Sequence, residues 1–457
     1  MKTKLLFKAV MAIVVAMAPL QKTVAQYSTE RFNTVNCKGI WDRAIGRAAD
    51  GVSRIVSYHE IAGGEFHLTD ISDSTTFHFD VPVGMYVNDL EVYNDTVFFC
   101  GRYYGRAMVG LFPLEAFAYG FYPIGTVLPY VAPPYPVSIS FDYYLFPEEK
   151  NMTHLEVYTS PVDGRTTVAA VGETWNSLSD VYTSLYIISL GGSTISYQEF
   201  GTNTIPYGVF QDVAVTDNYI VVTGVYNNYP NDYITMTYVD KSNTGTLHPY
   251  FYDEPAGVWP VPILSIEHLQ EDEVAISSLV YNGSSSPYSI SLHVYDVPSL
   301  TFTHSQTVSV LEKDAPGNKM LYFQEDSTLL LLHTNLYPDL SAVSSAIYTL
   351  LPYATANYMT NTIYNKDSSF NSLDRFQDFR FVATGHLTDL QHSFFIHDRQ
   401  ASFQSSCFLS NSHKVSVANT PTNNQFFSPN NYTYTTTVIT EYPTVTEETL
   451  KINCQSN

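Results

Sequence analysis

The sequence predicts an all-β protein built from repeated four-stranded units, a β-propeller. Two segments, Asp89–Gly101 and Asp212–Gly224, share one sequence pattern, which consists of an apolar run, a polar turn and an alternating apolar strand that ends at glycine. Further copies of that strand end at Gly172 and Gly385. Recurrence at a period of about 52 residues is typical of propellers. The composition agrees, because the abundant Tyr, Phe, Val and Thr suit pleated sheets better than helices.

Small or polar residues mark the end of the second strand in each predicted unit. The markers are Gly101, Gly172, Gly224, Ser278, His333 and Gly385. A fainter unit at residues 50–80 brings the expected number of four-stranded blades to seven, with six and eight as alternatives. After the markers, turns rich in Asn, Pro, Asp or Gly lead into a second hairpin, as the backbone preferences of these residues favour.

The prediction divides the chain into three parts. Residues 1–25 form a signal peptide, residues 26–49 lead into the fold, and residues 50–457 form a single propeller. Proline is dense in residues 121–150, and because proline cannot serve a central strand, this segment is expected to be mostly a loop insertion. Residues 411–457 contain strand-like segments, one of which is expected to close the ring by completing the N-terminal blade.

The first residues carry the pattern of an export signal. Lys2, Lys4 and Lys8 precede an apolar stretch, and Thr23 and Ala25 supply the small residues of a cleavage site. The stretch is too short to cross a bilayer. The sequence therefore predicts a mature protein in the periplasm, at the cell surface or outside the cell, with no membrane insertion.

Acidic residues outnumber basic ones by 44 to 22, which gives a formal net charge of −22. Such a surface repels phosphate backbones and anionic lipids, so nucleic acid is not an expected partner. The oligomeric state is not indicated by the sequence.

The repeat pattern resembles that of secreted β-propeller proteins of the Bacteroidota type. The likeness is carried by Asp89–Gly101, by Asp212–Gly224, by the hairpins that follow them, and by Gln26 directly after the predicted cleavage site. It implies a propeller fold and an exported location. It carries over no catalytic residue.

Four cysteines leave the disulfide pattern open. Cys100 lies inside an apolar strand and is expected to be free and buried. A bridge between Cys407 and Cys454 would close the C-terminal segment, and Cys37 is an alternative partner for Cys454 if the two termini meet.

No common catalytic or cofactor motif occurs in the chain, neither a zinc-protease HExxH, a GxSxG elbow, a phosphate-binding loop nor an EF-hand. His386, His392 and His397 lie close in sequence, but residues five apart in a strand point to opposite faces. The sequence therefore predicts no catalytic residue, no metal and no cofactor.

Three aspartates are candidate binding residues at the mouth of the central channel. Asp89 and Asp212 lie at equivalent places before their marker glycines, and Asp374 lies one residue closer to its marker. A ring of carboxylates there could bind a cation or a sugar hydroxyl. The alternative is that each aspartate accepts hydrogen bonds from nearby backbone N–H groups.

Aromatic residues in predicted loops are the second set of candidates. Trp175, Trp259 and Tyr229 lie between predicted strands in Tyr-rich surroundings. Exposed aromatic rings stack on sugars or anchor protein partners, whereas buried ones would only pack beneath their own loops.

These observations favour a non-catalytic binding or scaffold propeller that recognises a glycan or a protein through loops on one face. The alternative is an extracellular polysaccharide hydrolase or lyase with its site in the central funnel. That alternative needs two carboxyl groups about 5–10 Å apart, and the sequence alone supplies no such pair.

Overall fold

The computed structural model describes residues 29–36, 44–48, 54–60, 64–70, 75–114, 141–146, 151–175, 181–190, 194–201, 208–228, 231–253, 259–281, 288–309, 317–336, 343–350, 359–365, 368–377, 380–387, 391–398, 409–417, 422–425, 430–441, 446–449 and 451–456. These residues form strands, tight turns and short connections, and no helix occurs among them. No helix in this part of the chain is therefore long and apolar enough to cross a membrane. The prediction of an all-β protein is confirmed.

The strands, in chain order, are β1 Thr29–Asn36, β2 Ala44–Ala48, β3 Arg54–His59, β4 Glu65–Asp70, β5 Thr75–Asp80, β6 Met85–Tyr93, β7 Thr96–Tyr103, β8 Arg106–Pro113, β9 Phe141–Leu145, β10 Asn151–Thr159, β11 Thr166–Trp175, β12 Val181–Ser189, β13 Thr194–Gly201, β14 Gly208–Val215, β15 Tyr219–Asn228, β16 Asn231–Asp240, β17 Asn243–Asp253, β18 Trp259–His268, β19 Glu273–Tyr281, β20 Tyr288–Asp296, β21 Thr301–Ser309, β22 Gly317–Phe323, β23 Thr328–Leu336, β24 Val343–Leu350, β25 Met359–Asn365, β26 Ser368–Gln377, β27 Arg380–Leu387, β28 Gln391–Asp398, β29 Leu409–Val417, β30 Thr422–Gln425, β31 Asn430–Glu441, β32 Thr446–Thr449 and β33 Lys451–Ser456.

Consecutive strands form antiparallel four-stranded units, which we number along the chain. Units 1 to 6 are β2–β5, β6–β9, β10–β13, β14–β17, β18–β21 and β22–β25, and unit 7 joins β26–β28 to β1. The first strand of each unit contacts the first strand of the next, and β26 contacts β2. The units therefore follow one another around a closed, propeller-like ring, with their first strands innermost.

The N-terminal strand, rather than a C-terminal one, completes the last unit. β1 pairs antiparallel with β28, with Phe32 opposite Phe394. The sequence pattern predicts a lead-in segment at residues 26–49 and closure of the first blade by a strand within residues 411–457. Periodicity cannot distinguish the two ends, because both carry a short alternating strand.

The C-terminal strands form a belt around the outside of the ring. β29 pairs with β25 and β21, β30 with β17, β31 with β13 and β9, β32 with β5, and β33 with β1. We call β29–β33 the C-terminal belt. It adds an outer strand to each unit and covers edges that would otherwise expose unpaired backbone groups.

Apolar clusters fill the spaces between neighbouring units. Between units 1 and 2, for example, the ring of Phe66 lies 5.2 Å from that of Phe99 and 4.9 Å from that of Phe112, measured between centroids. Cys100 is buried in the next cluster, as predicted, and it forms no disulfide bond with a described residue. Further clusters lie between units 3 and 4, 4 and 5, and 6 and 7, so units 2, 3 and 4 bury both of their faces among the described residues.

Part of the Pro-rich segment forms a strand. Residues 141–145 form β9, the outermost strand of unit 2, and the loop expected over most of residues 121–150 stays a prediction. The last proline before this strand is Pro136, so Phe141–Leu145 can pair with β8. Residues 115–140 lie outside the described residues.

Candidate functional site

Charged side chains line the central channel. A cavity of about 170 Å³ lies there. Its walls carry Arg47, Asp89, Glu91, Glu156, Asp212, Glu267, Lys319 and Asp374, which come from the seven innermost strands. The channel is therefore a concentration of acidic groups around a few cations.

The predicted equivalence of Asp89 and Asp212 is visible in the strand register. Asp89 pairs with Cys100, directly before Gly101, and Asp212 pairs with Thr223, directly before Gly224. Each aspartate follows a β-bulge in its strand. At the bulge, a Cβ on Gly101 would collide with the carbonyl oxygen of Tyr86, which explains why a glycine stands there.

Asp89 bonds the backbone of two neighbouring units. Its Oδ1 accepts the N–H of Leu90 at 3.1 Å, and its Oδ2 accepts the N–H of Leu155, in unit 3, at 3.3 Å. This is the backbone-bonding alternative of the sequence analysis, except that one donor belongs to the next unit rather than to a nearby turn.

Asp212 repeats the arrangement one pair of units further on. Its two oxygens accept the N–H groups of Val213 at 3.0 Å and of Ile266, in unit 5, at 3.2 Å. Two of the three candidate aspartates therefore tie adjacent innermost strands together.

Asp374 occupies a different level of the channel. In its unit, the residue that pairs directly before the marker Gly385 is Ser372, opposite Thr384. Asp374 pairs with Val382, two residues further along the strand. Asp374 and Asp89 lie at nearly the same number of residues before their marker glycines, which suggests that they are equivalent. This spacing is misleading because a bulge shifts the pairing of two strands by a residue.

The channel side chains form two levels, defined by their register. The upper level pairs with the residue just before each marker and contains Asp89, His154, Asp212, Lys319, Ser265 and Ser372. Residues of the lower level lie opposite the residue that comes three positions before the marker on the second strand. They include Glu91, Glu156, Glu267 and Asp374. The upper level thus mixes signs, whereas these lower-level members are all acidic.

The lower-level residues can be recognised in the sequence by a repeated triplet, although their distance from the markers does not identify them. Innermost strands repeat a polar–apolar–acidic triplet, seen as Asp-Leu-Glu at 89–91, His-Leu-Glu at 154–156, Ser-Ile-Glu at 265–267 and Ser-Leu-Asp at 372–374. Residues two apart in a strand share a face, so both polar positions point into the channel.

Cations connect the two levels. Arg47 places Nη2 3.3 Å from Asp89 Oδ1 and Nε 3.3 Å from Glu91 Oε2. In the upper level, the Lys319 Nζ donates to His154 Nδ1 at 3.1 Å and lies 3.9 Å from Asp212 Oδ2. Sequence analysis singled out none of these cations, because a lone basic residue in a strand has no recognisable spacing.

The pKa values separate the two levels. At Asp89, burial raises the pKa, but the charges of Lys319 and Arg47 outweigh it and hold that pKa well below its usual range. Burial, together with the nearby charge of Asp374, raises the pKa of Glu91 to about 7 and that of Glu267 to about 8 against the opposing charge of Arg47. Glu156 is likewise raised well above its ordinary pKa by burial and by Glu91.

These shifts predict that stability falls with rising pH. A carboxyl group whose folded-state pKa is raised binds more protons in the folded than in the unfolded state, so the free energy of unfolding decreases with pH. For Glu267 this window runs from its ordinary value of 4.5 to about 8. We expect Glu267→Gln to gain at least about 1 kcal/mol at pH 8 relative to the parent, since one pKa unit corresponds to about 1.4 kcal/mol.

Denaturant unfolding of both proteins at pH 5 and pH 8 measures this effect. Glutamine keeps the acceptor for the N–H of Tyr322, which Glu267 Oε1 binds at 3.1 Å. An equal stability difference between the two proteins at both pH values would contradict the raised pKa.

The predicted aromatic residues mark one face of the ring. Antiparallel strands place the β7–β8, β11–β12 and β15–β16 connections on the same side of their units. We call this side the Tyr104 face, after the β7–β8 turn at Tyr104 and Gly105. β11 ends at Trp175 and β18 begins at Trp259 on this side. The side chains of both tryptophans, and Tyr229 altogether, lie outside the described residues.

An exposed aromatic patch lies on this face in unit 2. Val83, Tyr86 and Tyr104 are 75%, 40% and 69% exposed, and they are three of the five large apolar side chains exposed in the described part of the chain. The Arg102 guanidinium lies 4.8 Å from the centre of the Tyr86 ring. We call these four residues the Tyr104 patch.

The backbone holds Tyr104 in place although its ring is exposed. Tyr104 and Gly105 have φ values of +47° and +79°, as in a tight type I′ hairpin turn, where a bulky residue is rare. The Tyr104 N–H donates to the carbonyl of Gly84 at 3.0 Å. A Cβ at Gly84 would lie 2.8 Å from the Tyr104 ring, so the ring packs directly on that glycine.

The opposite face carries a polar cavity between units 3 and 4. This cavity has a volume of about 400 Å³ and is lined by the β10–β11 turn and the β16–β17 turn, with Tyr158 and Lys241 at its base. The Lys241 Nζ donates to the Thr216 carbonyl at 2.7 Å. The cation is therefore engaged by the fold.

The predicted disulfide cannot be assigned to a described contact. Cys407 lies outside the described residues, and Cys454 lies in β33 with its side chain likewise outside them. The pairing of Cys407 with Cys454, or of Cys37 with Cys454, stays a prediction.

Comparisons with known proteins give a distant structural likeness. No family model matches the chain, and no curated protein does. Among solved structures, the chain is similar to the phage phi92 endosialidase, with 6% identity and a TM-score of 0.38, over 87% of this chain and 71% of that one. No site residue is transferred from that protein.

Proposed function

We propose that the chain is an exported seven-bladed β-propeller that binds a glycan through the Tyr104 face without catalysis. The Tyr104 patch is the observation that carries this proposal. Most of the large apolar side chains that the described residues expose gather there, and Tyr104 is held in an unusual backbone conformation. Strain retained at an exposed aromatic residue is characteristic of ligand-binding positions.

A glycan suits the patch better than other ligands. A flat, fixed ring offers the stacking surface that sugar rings use, and a fixed ring loses little conformational entropy on binding. The acidic surface repels anionic polymers, which favours a neutral polysaccharide. The binding surface would also include Trp175 and Trp259, because β11 ends and β18 begins on this face, and Tyr229, which lies in the sequence between β15 and β16.

We expect Tyr104→Ala to weaken binding to the preferred neutral polysaccharide about tenfold, which corresponds to roughly 1.4 kcal/mol. Affinity electrophoresis against a panel of neutral and acidic polysaccharides provides the measurement. Val162→Ser is the matched control, since Val162 is 68% exposed on the opposite face. Equal binding by both variants would refute a site at Tyr104. If the protein binds no polysaccharide but binds a protein partner through Tyr104, the ligand is a protein and the glycan proposal is wrong.

A hydrolase or lyase is the second candidate, and the lower level of the channel favours it. Glu91 and Glu267 have pKa values of about 7 and 8, the range in which a carboxylic acid can donate a proton at neutral pH. Asp89 stays ionised nearby. Reducing-end release from the same polysaccharides, abolished by Glu267→Gln but not by Tyr104→Ala, would establish the enzyme in place of the binding protein.

A further inference from the structure

We propose that Glu65, His67 and His78 form a binding site for a divalent transition-metal ion, with Zn²⁺ as the best-fitting ion. Among the described residues, these three side chains gather one potential ligand atom each within 4.8 Å of one another. The site lies on the β4–β5 hairpin of unit 1, away from the channel and from the Tyr104 patch. It is independent of the function proposed above.

The strand register brings the three residues together. Glu65 and His67 are two residues apart on β4, so their side chains lie on the same face. His78 is directly opposite His67 on β5. Side chains of directly opposed residues are close neighbours on one face of an antiparallel pair. The hairpin thus presents two imidazoles and one carboxylate side by side.

The distances fit a bound ion, and the shorter of them is also a hydrogen-bond length. Glu65 Oε2 lies 3.1 Å from His67 Nε2 and 3.8 Å from His78 Nδ1. The longer distance exceeds hydrogen-bond length. Ligand atoms about 2.1 Å from a tetrahedral Zn²⁺ lie roughly 3.4 Å from one another, which is between the two observed distances.

The surroundings fix the imidazoles while leaving access to the site. The His67 side chain is 1% exposed, whereas those of Glu65 and His78 are 23% and 17% exposed. The His67 ring lies 4.2 Å from the His59 ring and 5.2 Å from the His78 ring, between centroids. One side of the cluster is therefore rigid, and the other can admit an ion together with a water molecule as its fourth ligand.

The chemistry of the ligands selects the class of ion. Imidazole nitrogen favours Zn²⁺, Cu²⁺, Ni²⁺ and Fe²⁺ over Mg²⁺ and Ca²⁺, which prefer oxygen ligands only. Two neutral imidazoles and one carboxylate leave a bound Zn²⁺ with a local charge of about +1. The net negative charge of the protein favours such a positive site.

The position in the fold gives the ion a structural consequence. β5 is the outermost strand of unit 1, and the belt strand β32 pairs with it, with Thr446 opposite His78. An ion that joins β4 to β5 at this residue pair would fix the edge on which the belt lies. We therefore expect metal binding to raise the melting temperature, since an ion that binds only the folded state stabilises it.

Equilibrium dialysis of the tag-free, chelator-treated mature protein against ZnCl₂, with metal analysis, tests the proposal. We expect one bound ion per chain. Glu65→Gln, His67→Ala and His78→Ala should each lower the affinity by at least about 100-fold, because even residues that only support a ligand contribute 10- to 100-fold. His268→Ala is the control, since His268 bonds the Glu271 carbonyl in another unit.

Glu65→Gln and His78→Ala keep the test decisive if His67→Ala fails to fold, because both side chains are partly exposed. Circular dichroism checks that each variant is folded. Cobalt substitution should give the visible absorption of a four-coordinate ion in the parent and lose it in these two variants. Absence of stoichiometric binding in the parent, or binding that all four variants retain equally, would overturn the site.

Discussion

A chain that ends at Phe408 is expected to lose at least about 5 kcal/mol of its free energy of unfolding, because each lost backbone hydrogen bond contributes about 0.5–1.5 kcal/mol. The truncation removes the whole C-terminal belt. It strips an outer strand from every unit, from β25 round to β1. A loss of this size is comparable to the total stability of many domains.

Chemical denaturation of the truncated chain and of the chain with its natural C-terminus measures the loss. The exposed outer strands should also pair between molecules, so sedimentation should detect self-association of the truncated chain. A chain that ends at Thr449 is the control, since it lacks Cys454 and β33 but keeps the other belt strands. If the chain that ends at Phe408 melts within a few degrees of the full chain, the belt does not stabilise the ring.

The repeat pattern of the sequence located the second strands of units 2 to 7. The markers Gly101, Gly172, Gly224, Ser278, His333 and Gly385 all lie in second strands, from β7 to β27. These positions were predictable because hydrophobic alternation is local, and because Gly101 is required by a close approach of two backbones. The level of Asp374 was not predictable, since bulges alter the register without a sequence signal.

The belt could not be predicted from local patterns. β31 pairs with both β13 and β9, so that Thr437 lies opposite Thr194 although they are far apart in the sequence. Alternation identifies such a segment as a strand, but it does not specify which edge the strand covers.

The candidate metal site was missed for a related reason. Metal-binding histidines are recognisable in a sequence when their spacing is short and regular, whereas His67 and His78 are separated by a hairpin turn. Their juxtaposition depends on the register of that hairpin, with His67 opposite His78. The sequence does contain a signal for this site. An acidic residue and a histidine two positions apart on one predicted strand are followed by a histidine on the next strand.

Arg47→Met should be the most damaging single substitution in the channel, with an expected loss of about 3–5 kcal/mol, the usual cost of removing one partner of a buried ion pair. Arg47 lies between the two levels, 3.3 Å from both Asp89 and Glu91, and Nη1 donates to the Leu373 carbonyl at 3.4 Å. Burial lowers the pKa of Arg47, but the charges of Asp89 and Glu91 outweigh it and hold that pKa above its ordinary range. Without the cation, Glu91 loses its ion-pair partner, and Asp89 keeps only Lys319 and His154 as positive or donating neighbours.

The control is Arg165→Met, which removes an exposed ion pair in which the side chains of Arg165 and Asp163 are 62% and 42% exposed. Exposed pairs contribute about 0–1 kcal/mol, so this variant should unfold like the parent. Adding Glu91→Gln to Arg47→Met should restore part of the loss, because it removes the carboxylate that has lost its ion-pair partner. Urea unfolding of the four proteins at pH 8 measures both effects. Equal losses in Arg47→Met and Arg165→Met would show that the channel charges do not depend on Arg47 for their balance.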